Sequence, residues 1–258
     1  MNISEIPAHT KIQPISHEIY LEGIKDTGVL LLHGFTGSPH DMKYLAGCIN
    51  ENGYTVYVPR YPGHGTNSGD FMASDWRDWL RKAVDSYIFM KSKYEKVIVG
   101  GLSMGGVIAS IIAEKFPVEK LLLYAPALMA TDSRIKISGI LGIFMKKVRK
   151  NEITDYGDKY LNSLAEEYWN WNYPKQAYSL YKLQKMAVKN LSEINTETFL
   201  VMSEKDTDVP FRVNGIIKSK INNEKISELI LKESGHVVTN DKEKETVALK
   251  TVEYLNKI

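Results

Sequence analysis

Six short apolar runs limit the folds that this sequence can adopt. Each run has five or six residues, rich in Val, Ile, Leu and Tyr, and the apolar residues follow one another instead of alternating with polar ones. Near-continuous runs of this length are typical of strands that are buried on both faces, as in a parallel sheet. We therefore predict strands at residues 28–32, 54–58, 96–100, 120–125, 198–202 and 227–231.

Helical patterns separate most of these runs. Apolar side chains recur at three- and four-residue steps over residues 74–94, where Ser74 is placed to cap the helix. The last helix is predicted to open at residues 240–243, which form a variant of a capping box. Since parallel strands need such crossover helices, the alternation predicts an α/β fold with a largely parallel central sheet and helices on both faces.

Residues 127–194 interrupt the alternation. They contain no run typical of a buried strand, and helical patterns take its place. We interpret this helical insertion between two strands as a cap or lid. No stretch rich in Pro, Gly or Ser divides the chain, so we predict one domain over residues 1–258 with the cap inserted in it.

Charge and cysteine content narrow the classes of function. Lys and Arg total 33, Asp and Glu total 31, and the net charge of +2 argues against nucleic-acid binding. We expect neither secretion nor a membrane span, because the chain has no secretory signal pattern and no run of about 18 apolar residues. Cys48 is the only cysteine, which excludes an internal disulfide and suits a cytoplasmic protein.

The motif G-x-S-x-G stands at residues 101–105, between a predicted strand and a predicted helix. A strand that turns at once into a helix leaves no room for side chains beside the apex, so glycines are needed there. The apex residue, Ser103, is then held out of the turn, and the helix N-terminus favours negative charge that develops near it. The alternative interpretation is a glycine-rich turn whose serine only caps the helix.

A base and an orienting acid for Ser103 follow later strands. His236 comes just after the sixth predicted strand, at the carboxyl edge of the sheet where Ser103 is also expected. A serine hydroxyl needs such a base, and the base needs a third group to orient it. The spacing after the fifth predicted strand leaves three candidates for that group: Glu204, Asp206 and Asp208.

A second glycine-containing loop, HGFTGSP at residues 33–39, follows the first predicted strand. Its glycines let backbone amides face a tetrahedral oxyanion. The amide of Phe35 pairs naturally with that of Met104, the residue after the serine. We predict that these two amides form an oxyanion hole.

Five segments carry a resemblance to a known family. LLHGFTGSPHDM, GYTVYVPRYPGHG, GLSMGG, DTDVP and SGHVVTND stand in the order expected of the α/β-hydrolase superfamily, and the chain most resembles its bacterial carboxylesterases and monoacylglycerol lipases. The resemblance implies a triad of Ser103, Asp206 and His236, the acid being the first residue of D-x-x-V-P. It also implies an α/β-hydrolase fold, the oxyanion hole of Phe35 and Met104, and a small helical cap after the sixth strand.

The predicted function is the hydrolysis of carboxylic esters. Ser103 would form an acyl-enzyme with short- to medium-chain acyl esters or monoacylglycerols, and the reaction would need no metal or other cofactor. Feruloyl- or cinnamoyl-type ester cleavage, C–C bond hydrolysis and acyl transfer are alternatives that keep the same triad. A non-catalytic ligand-binding protein is the alternative from another class.

The cap holds the candidate substrate contacts. Trp169, Trp171 and Tyr173 are predicted either to line the apolar end of the substrate or to pack within the cap. The segment at residues 137–150 is apolar and then basic, and its apolar side chains are predicted to cover the core or the substrate pocket: Ile140, Leu141, Ile143 and Phe144. A further hypothesis is that this apolar segment makes transient contact with lipid surfaces, with four basic residues near anionic head groups: Lys146, Lys147, Arg149 and Lys150.

Overall fold

A seven-stranded sheet runs through the centre of the protein. The computed structural model describes residues 6–151, 153, 155–221 and 223–257. The strands in chain order are β1 (Ile19–Leu21), β2 (Thr27–Leu32), β3 (Thr55–Val58), β4 (Lys96–Leu102), β5 (Leu121–Tyr124), β6 (Val148–Arg149), β7 (Trp171–Asn172), β8 (Thr198–Ser203) and β9 (Ile226–Leu231). The central sheet has the order β1-β3-β2-β4-β5-β8-β9, whereas β6 and β7 form a separate pair. In the central sheet β1 pairs antiparallel with β3, and the other described pairs are parallel.

All six predicted strands are present, with ends that differ from the prediction by at most two residues. Their burial is as expected, since β3, β5 and β8 are buried along their whole length. The sequence did not reveal β1, the antiparallel edge strand. Its three residues are apolar but only half-buried, and a run of three is shorter than the runs of five or six by which the other strands were recognised.

Helices cover both faces of the sheet. They are α1 (Lys43–Glu51), α2 (Ser68–Ala73), α3 (Trp76–Lys93), α4 (Met104–Lys115), α5 (Ser138–Phe144), α6 (Lys159–Leu164), α7 (Pro174–Asn190), α8 (Arg212–Lys220) and α9 (Lys244–Leu255). Short 3₁₀ turns lie at Pro14–Ser16, Pro39–Met42, Ser133–Lys136, Leu191–Glu193 and Asn223–Lys225, and a π-helical turn at Ala165–Trp169. Buried side chains of α1 and α9 form one core cluster, and those of α3, α4, α7 and α8 form the other.

The predicted cap of α3 was placed one residue too early. The helix begins at Trp76, and the carboxylate of Asp75 accepts the N–H of Arg77. The Asp78 side chain accepts the N–H of Asp75 in return, which completes a capping box. Ser74 instead ends α2, and its hydroxyl accepts the indole N–H of Trp79.

Between β5 and β8 the described elements are helices and short helical turns, apart from the β6–β7 pair. This insertion follows β5, the fifth strand of this chain, whereas the family resemblance placed the insertion after the sixth. Four strands precede β5, counting the unpredicted β1, so the insertion lies one strand earlier in this chain than the resemblance implied. Helix α7 packs on α4, next to the carboxyl end of β4, and we keep residues 127–194 as the proposed bounds of the cap. In the described part of the chain, no helix combines the length and the apolar character that crossing a bilayer requires.

Candidate active site

Ser103 occupies the turn between β4 and α4. Its φ and ψ are 55° and −116°, a backbone conformation that a non-glycine residue rarely adopts. Such a conformation costs about 1–3 kcal/mol, and it persists where the surroundings hold it. Here the Ser103 N–H donates to the carbonyl of Tyr124 at 2.9 Å, and its own carbonyl accepts the N–H of Ala127 at 3.1 Å. The end of β5 thus holds the serine in its strained position.

The glycines of this turn are required by close backbone packing. A β-carbon at Gly105 would lie 2.0 Å from the carbonyl oxygen of Leu32, and one at Gly101 would lie 2.2 Å from the carbonyl of Gly105. Both obstacles are main-chain atoms of the sheet or of the turn, which cannot rotate away as a side chain can. The turn therefore excludes side chains at these two positions, as its sequence predicts.

Gly105→Ala is expected to destabilise the fold by about 3 kcal/mol or more, because the β2 backbone must move to admit the methyl group. Gly47→Ala in α1 is the matched control, since nothing lies within 4 Å of a β-carbon there. Alanine has the higher helix propensity, so this control should be as stable as the parent or gain up to about 1 kcal/mol. Urea unfolding followed by circular dichroism compares the two. Equal stabilities would contradict the packing argument.

His236 links Ser103 to a buried carboxylate. Its Nε2 lies 2.8 Å from Ser103 Oγ, and its Nδ1 lies 2.8 Å from Asp206 Oδ2. The other oxygen of Asp206 accepts the N–H groups of Asp208 and Val209, both at 2.9 Å. The Asp206 side chain is 0% exposed and that of His236 is 16% exposed.

The geometry shows which of the three candidate acids contacts His236, a choice that the spacing alone did not decide. Asp206 reaches the imidazole, whereas the exposed Asp208 contributes its backbone N–H to hold Asp206 in place. Glu204 is also exposed and forms an ion pair with Lys232. The structure thus brings Ser103, His236 and Asp206 together and leaves the side chains of Glu204 and Asp208 outside this series.

The charge of Asp206 sets the protonation behaviour of the imidazole. Burial alone lowers the pKa of His236, but the hydrogen bond to Asp206 and the charges of Asp206, Asp208 and Asp41 outweigh it and raise the pKa above its ordinary value. The ionised Asp206 accepts only, so Nδ1 of the neutral ring carries the proton. The lone pair of Nε2 then faces the Ser103 hydroxyl.

Asp41 is a carboxylate near His236 that the sequence analysis missed. Burial raises the pKa of Asp41 to about 6, although the Ser38 N–H and the nearby imidazole lower it. Its carboxylate accepts the Ser38 N–H at 3.1 Å, and the Ser38 hydroxyl accepts the N–H of His40. Ser38 and Asp41 therefore form a capping box that ends the 33–39 loop. The spacing S-x-x-D was visible in the sequence and could have revealed it.

The 33–39 loop passes directly beside the serine. A β-carbon at Gly34 would lie 3.4 Å from Cβ and 3.9 Å from Oγ of Ser103. Met104 is the first residue of α4, so its N–H has no acceptor within the helix. Among the described hydrogen bonds none uses the Phe35 N–H as a donor, and the Phe35 ring packs against Phe71 and Trp79. The Met104 amide thus lies in the serine turn, and the Phe35 amide belongs to the loop that passes beside it.

Two acidic residues hold the loop that carries His236. One carboxylate oxygen of Glu243 accepts the N–H groups of Glu233 and Ser234 at 2.9 and 2.8 Å, as well as the Ser234 hydroxyl. Asp241 accepts the N–H of Gly235 at 2.6 Å. These residues lie in the segment that was predicted to open the last helix. That prediction was wrong, and α9 begins at Lys244 because these carboxylates bind the preceding loop instead.

The predicted cap contacts separate into two groups. The Trp169 indole donates to the carbonyl of Thr36 at 3.1 Å, and the buried Tyr173 packs edge-on against Phe71. Trp171 lies further along the cap, where it donates to the Glu166 carbonyl. Ile140 and Phe144 are 63% and 80% exposed, so protein does not enclose either side chain. Trp169 is thus the predicted contact that touches the loop beside Ser103.

The acidic groups around the serine are engaged with protein donors. Asp206 accepts hydrogen bonds from two backbone N–H groups and from the imidazole of His236, and Asp41 accepts one from the Ser38 N–H. Within the described ranges, no three His, Cys, Asp or Glu side chains converge as metal ligands would. The arrangement has the parts of a proton-relay site: a nucleophile, a base and an orienting acid.

Comparisons with known proteins agree on one family. A sequence profile of the alpha/beta hydrolase family matches residues 29–249. The carboxylesterase of Bacillus subtilis (strain 168) is 29% identical over 237 residues, which are 90% of this chain and 94% of that protein. The thermostable monoacylglycerol lipase of Bacillus sp. (strain H-257) is 30% identical over 239 residues, 89% of this chain and 90% of the lipase. A solved structure of metagenome-derived lipolytic enzymes is similar with a TM-score of 0.83 at 25% identity, covering 96% of this chain and 100% of that chain.

Proposed function

This chain belongs to the alpha/beta hydrolase family, and from that membership we propose that it hydrolyses carboxylic esters through an acyl-enzyme on Ser103. One observation carries the proposal: an unbroken series of hydrogen bonds from Asp206 through His236 to Ser103, each 2.8 Å long. Residues 133 positions apart meet here at bonding distance. A serine that merely capped a helix would need neither partner.

Acylation begins when Ser103 Oγ attacks the ester carbonyl carbon. His236 Nε2 takes the hydroxyl proton, and Asp206 stabilises the imidazolium that forms. The carbonyl oxygen becomes an oxyanion, for which the amides of Phe35 and Met104 are the proposed donors. When the tetrahedral intermediate collapses, the C–O bond to the alcohol breaks, and His236 returns the proton to the leaving oxygen.

Deacylation uses the same groups with water in place of the alcohol. His236 Nε2 takes a proton from water, whose oxygen attacks the acyl carbonyl. The intermediate releases the carboxylic acid, and Ser103 Oγ recovers the proton from the imidazolium. No residue outside the site is needed to balance either step.

Short- to medium-chain acyl esters or monoacylglycerols are the proposed substrates. The relatives are named as a carboxylesterase and a monoacylglycerol lipase, and both names describe ester hydrolysis. Trp169 supports an apolar substrate, since its indole donates to the carbonyl of Thr36 and so brings aromatic surface from the cap to the 33–39 loop. Feruloyl-type cleavage, C–C hydrolysis, acyl transfer and non-catalytic binding stay as alternatives, and a cytoplasmic location stays a prediction.

A serine-directed alkyl phosphonate tests the site, and an ester panel tests the substrate. We expect one phosphonate per chain, attached to Ser103, as measured by intact-protein and peptide mass spectrometry. The panel consists of p-nitrophenyl esters from acetyl to palmitoyl, a monoacylglycerol and methyl ferulate. The highest kcat/KM should fall within the short- to medium-chain esters or the monoacylglycerol. Absence of labelling would point to the non-catalytic alternative, and a preference for methyl ferulate would replace the proposed substrate class.

We further propose that the cap makes transient contact with lipid surfaces through an apolar patch on α5. The patch consists of exposed apolar side chains: Ile137 (55%), Ile140 (63%), Leu141 (38%), Ile143 (76%), Phe144 (80%) and Met145 (46%). An exposed cluster of this kind beside basic residues fits a surface that inserts among lipid head groups. The predicted basic contacts contribute less than the apolar ones, because Arg149 is paired with Glu166 at 2.7 Å and Lys147 lies 4.1 Å over the Trp171 ring.

Replacing Ile140, Ile143 and Phe144 together by Asn should lower co-sedimentation with vesicles by about tenfold or more, since each apolar side chain that inserts contributes roughly 2 kcal/mol. The control carries Ile24→Asn and Leu249→Asn, which are 94% and 57% exposed but lie outside the cap. It should co-sediment like the parent. Replacing Lys146, Lys147, Arg149 and Lys150 by Gln should weaken binding to anionic vesicles alone. If the α5 variant co-sediments like the control, the lipid contact is refuted.

A further inference from the structure

A cavity opens between the cap and helix α8. Its volume is about 570 Å³, within the range of about 300–1,000 Å³ that is usual for small-molecule sites. It lies between the chain that follows β5, helix α7 and helix α8, and its described lining does not include Ser103. Five apolar side chains form much of its wall: Leu128, Met129, Ile135, Val188 and Ile216.

Four exposed cations from three different elements line the same cavity: Lys136, Lys185, Lys189 and Arg212. Across the described ranges, none of the four forms an ion pair with a carboxylate, although pairing is available close by. Arg134 pairs with Asp132 at 2.8 Å, and Lys218 on α8 pairs with Glu228 at 3.2 Å. The positive charge at the cavity is therefore left without a carboxylate partner among the described residues.

Two of these cations repel each other in the absence of a ligand. Lys185 and Lys189 are four residues apart on α7, a spacing that places like charges side by side on one helix face. An anion between them would remove this repulsion and would accept charge-assisted hydrogen bonds. The charge arrangement thus fits an anionic group at the cavity mouth.

We propose that this cavity binds an anionic amphiphile of the fatty-acid class, with the carboxylate among the four cations and the alkyl chain against the apolar wall. A neutral ester or alcohol would leave the four cations without an anionic partner. A small anion such as acetate would leave the apolar wall unfilled. Only a molecule with both parts satisfies both features. The inference does not rest on the proposed hydrolysis, although that reaction would release such an acid.

The cavity is also connected to the catalytic turn through hydrogen bonds. Gln184, which lines the cavity and is 4% exposed, donates to the carbonyl of Ala127 at 2.7 Å. The N–H of Ala127 in turn donates to the carbonyl of Ser103 at 3.1 Å. An occupant that touches Gln184 is thus two hydrogen bonds from the serine backbone.

Isothermal titration calorimetry with decanoate tests the site, with 1-decanol and acetate as ligands that lack one of the two features. We expect decanoate to bind, and the other two to bind about tenfold more weakly or not at all. Added salt should weaken decanoate binding, because the exposed cations are screened. Equal affinity for decanoate and 1-decanol would overturn the proposal.

Lys185→Gln and Lys182→Gln form a matched pair on α7. Lys185 lies 5.9 Å over the Tyr181 ring and Lys182 lies 4.9 Å over the Tyr178 ring, but only Lys185 lines the cavity. Lys185→Gln combined with Lys189→Gln should lower decanoate affinity by about tenfold or more, whereas Lys182→Gln should leave it unchanged. Equal affinity in these variants would refute the assignment.

Blocking the serine separates this site from the proposed active site. Protein whose Ser103 carries the phosphonate should bind decanoate with the affinity of the unlabelled protein, and loss of binding would show that decanoate occupies the catalytic pocket instead. If Ser103 does not react with the phosphonate, the proposed hydrolysis fails, while the lysine variants still decide where decanoate binds. The two proposals can therefore fail separately.

Discussion

Ser103→Ala is expected to lower kcat for p-nitrophenyl ester hydrolysis on the order of 10⁴- to 10⁶-fold, because the change removes the atom that forms the acyl bond. The remaining rate would come from substrate binding and the oxyanion hole, which the substitution leaves in place. Initial rates measured at saturating substrate, on protein whose circular dichroism spectrum matches the parent, provide the check.

The matched control for this change is Ser110→Ala in α4. Ser110 is also buried, and its hydroxyl donates to the carbonyl of Gly106 at 2.9 Å, so the substitution removes the same kind of atom from the helix that follows the serine turn. It should keep activity near that of the parent and should still react with the phosphonate at Ser103. A Ser103→Ala protein as active as the Ser110→Ala protein would refute the assignment of the nucleophile.

Asp206→Asn is expected to lower kcat by about 10⁴-fold with little change in the fold. The amide oxygen of the substituted side chain can still accept the N–H groups of Asp208 and Val209, which hold the acid at 2.9 Å. Its NH₂ group, however, would face Nδ1 of His236 and favour the tautomer with the proton on Nε2. That tautomer cannot take the proton of Ser103.

Asp208→Asn is the control, two residues along the same loop. The Asp208 side chain is exposed, and its contribution to Asp206 comes from a backbone N–H that the substitution keeps. We expect kcat near that of the parent. Comparable losses in the two variants would mean that the carboxylates act together and that Asp206 is not the single orienting acid.

The pH profile gives a second readout of Asp206. As a base His236 must be neutral, so kcat/KM should fall as pH drops through the folded pKa of this histidine. Although burial lowers that pKa, the bond and charge of Asp206 outweigh burial and raise it above the usual value of about 6.5. In Asp206→Asn the effect of burial remains, so the acid limb should move to lower pH while the plateau falls. An acid limb at the same pH in both proteins would contradict this.

The local sequence pattern predicted the features that depend on residues close together in the chain. The apolar runs predicted all six long strands, because a strand buried on both faces must be apolar along its length. The glycines at 101 and 105 predicted the tight turn, and the structure confirms that main-chain atoms occupy the space of any side chain there. Ser74 and Asp75 can both cap a helix, so the sequence pattern did not decide which of them caps α3. In the structure Asp75 is the N-cap residue.

The sequence alone determined the fold class, the serine turn and a short set of candidates for its base and acid. Only the tertiary structure decided between the carboxylates by geometry, because which of them reaches His236 depends on how β8 and β9 pair. The same holds for the position of Asp41 near His236 and for the exposure of α5, because each depends on elements that are distant in the chain and adjacent in space. Periodicity and spacing reflect the structure that each segment forms by itself. The distances between residues that follow different strands are fixed only when those strands pair in the sheet.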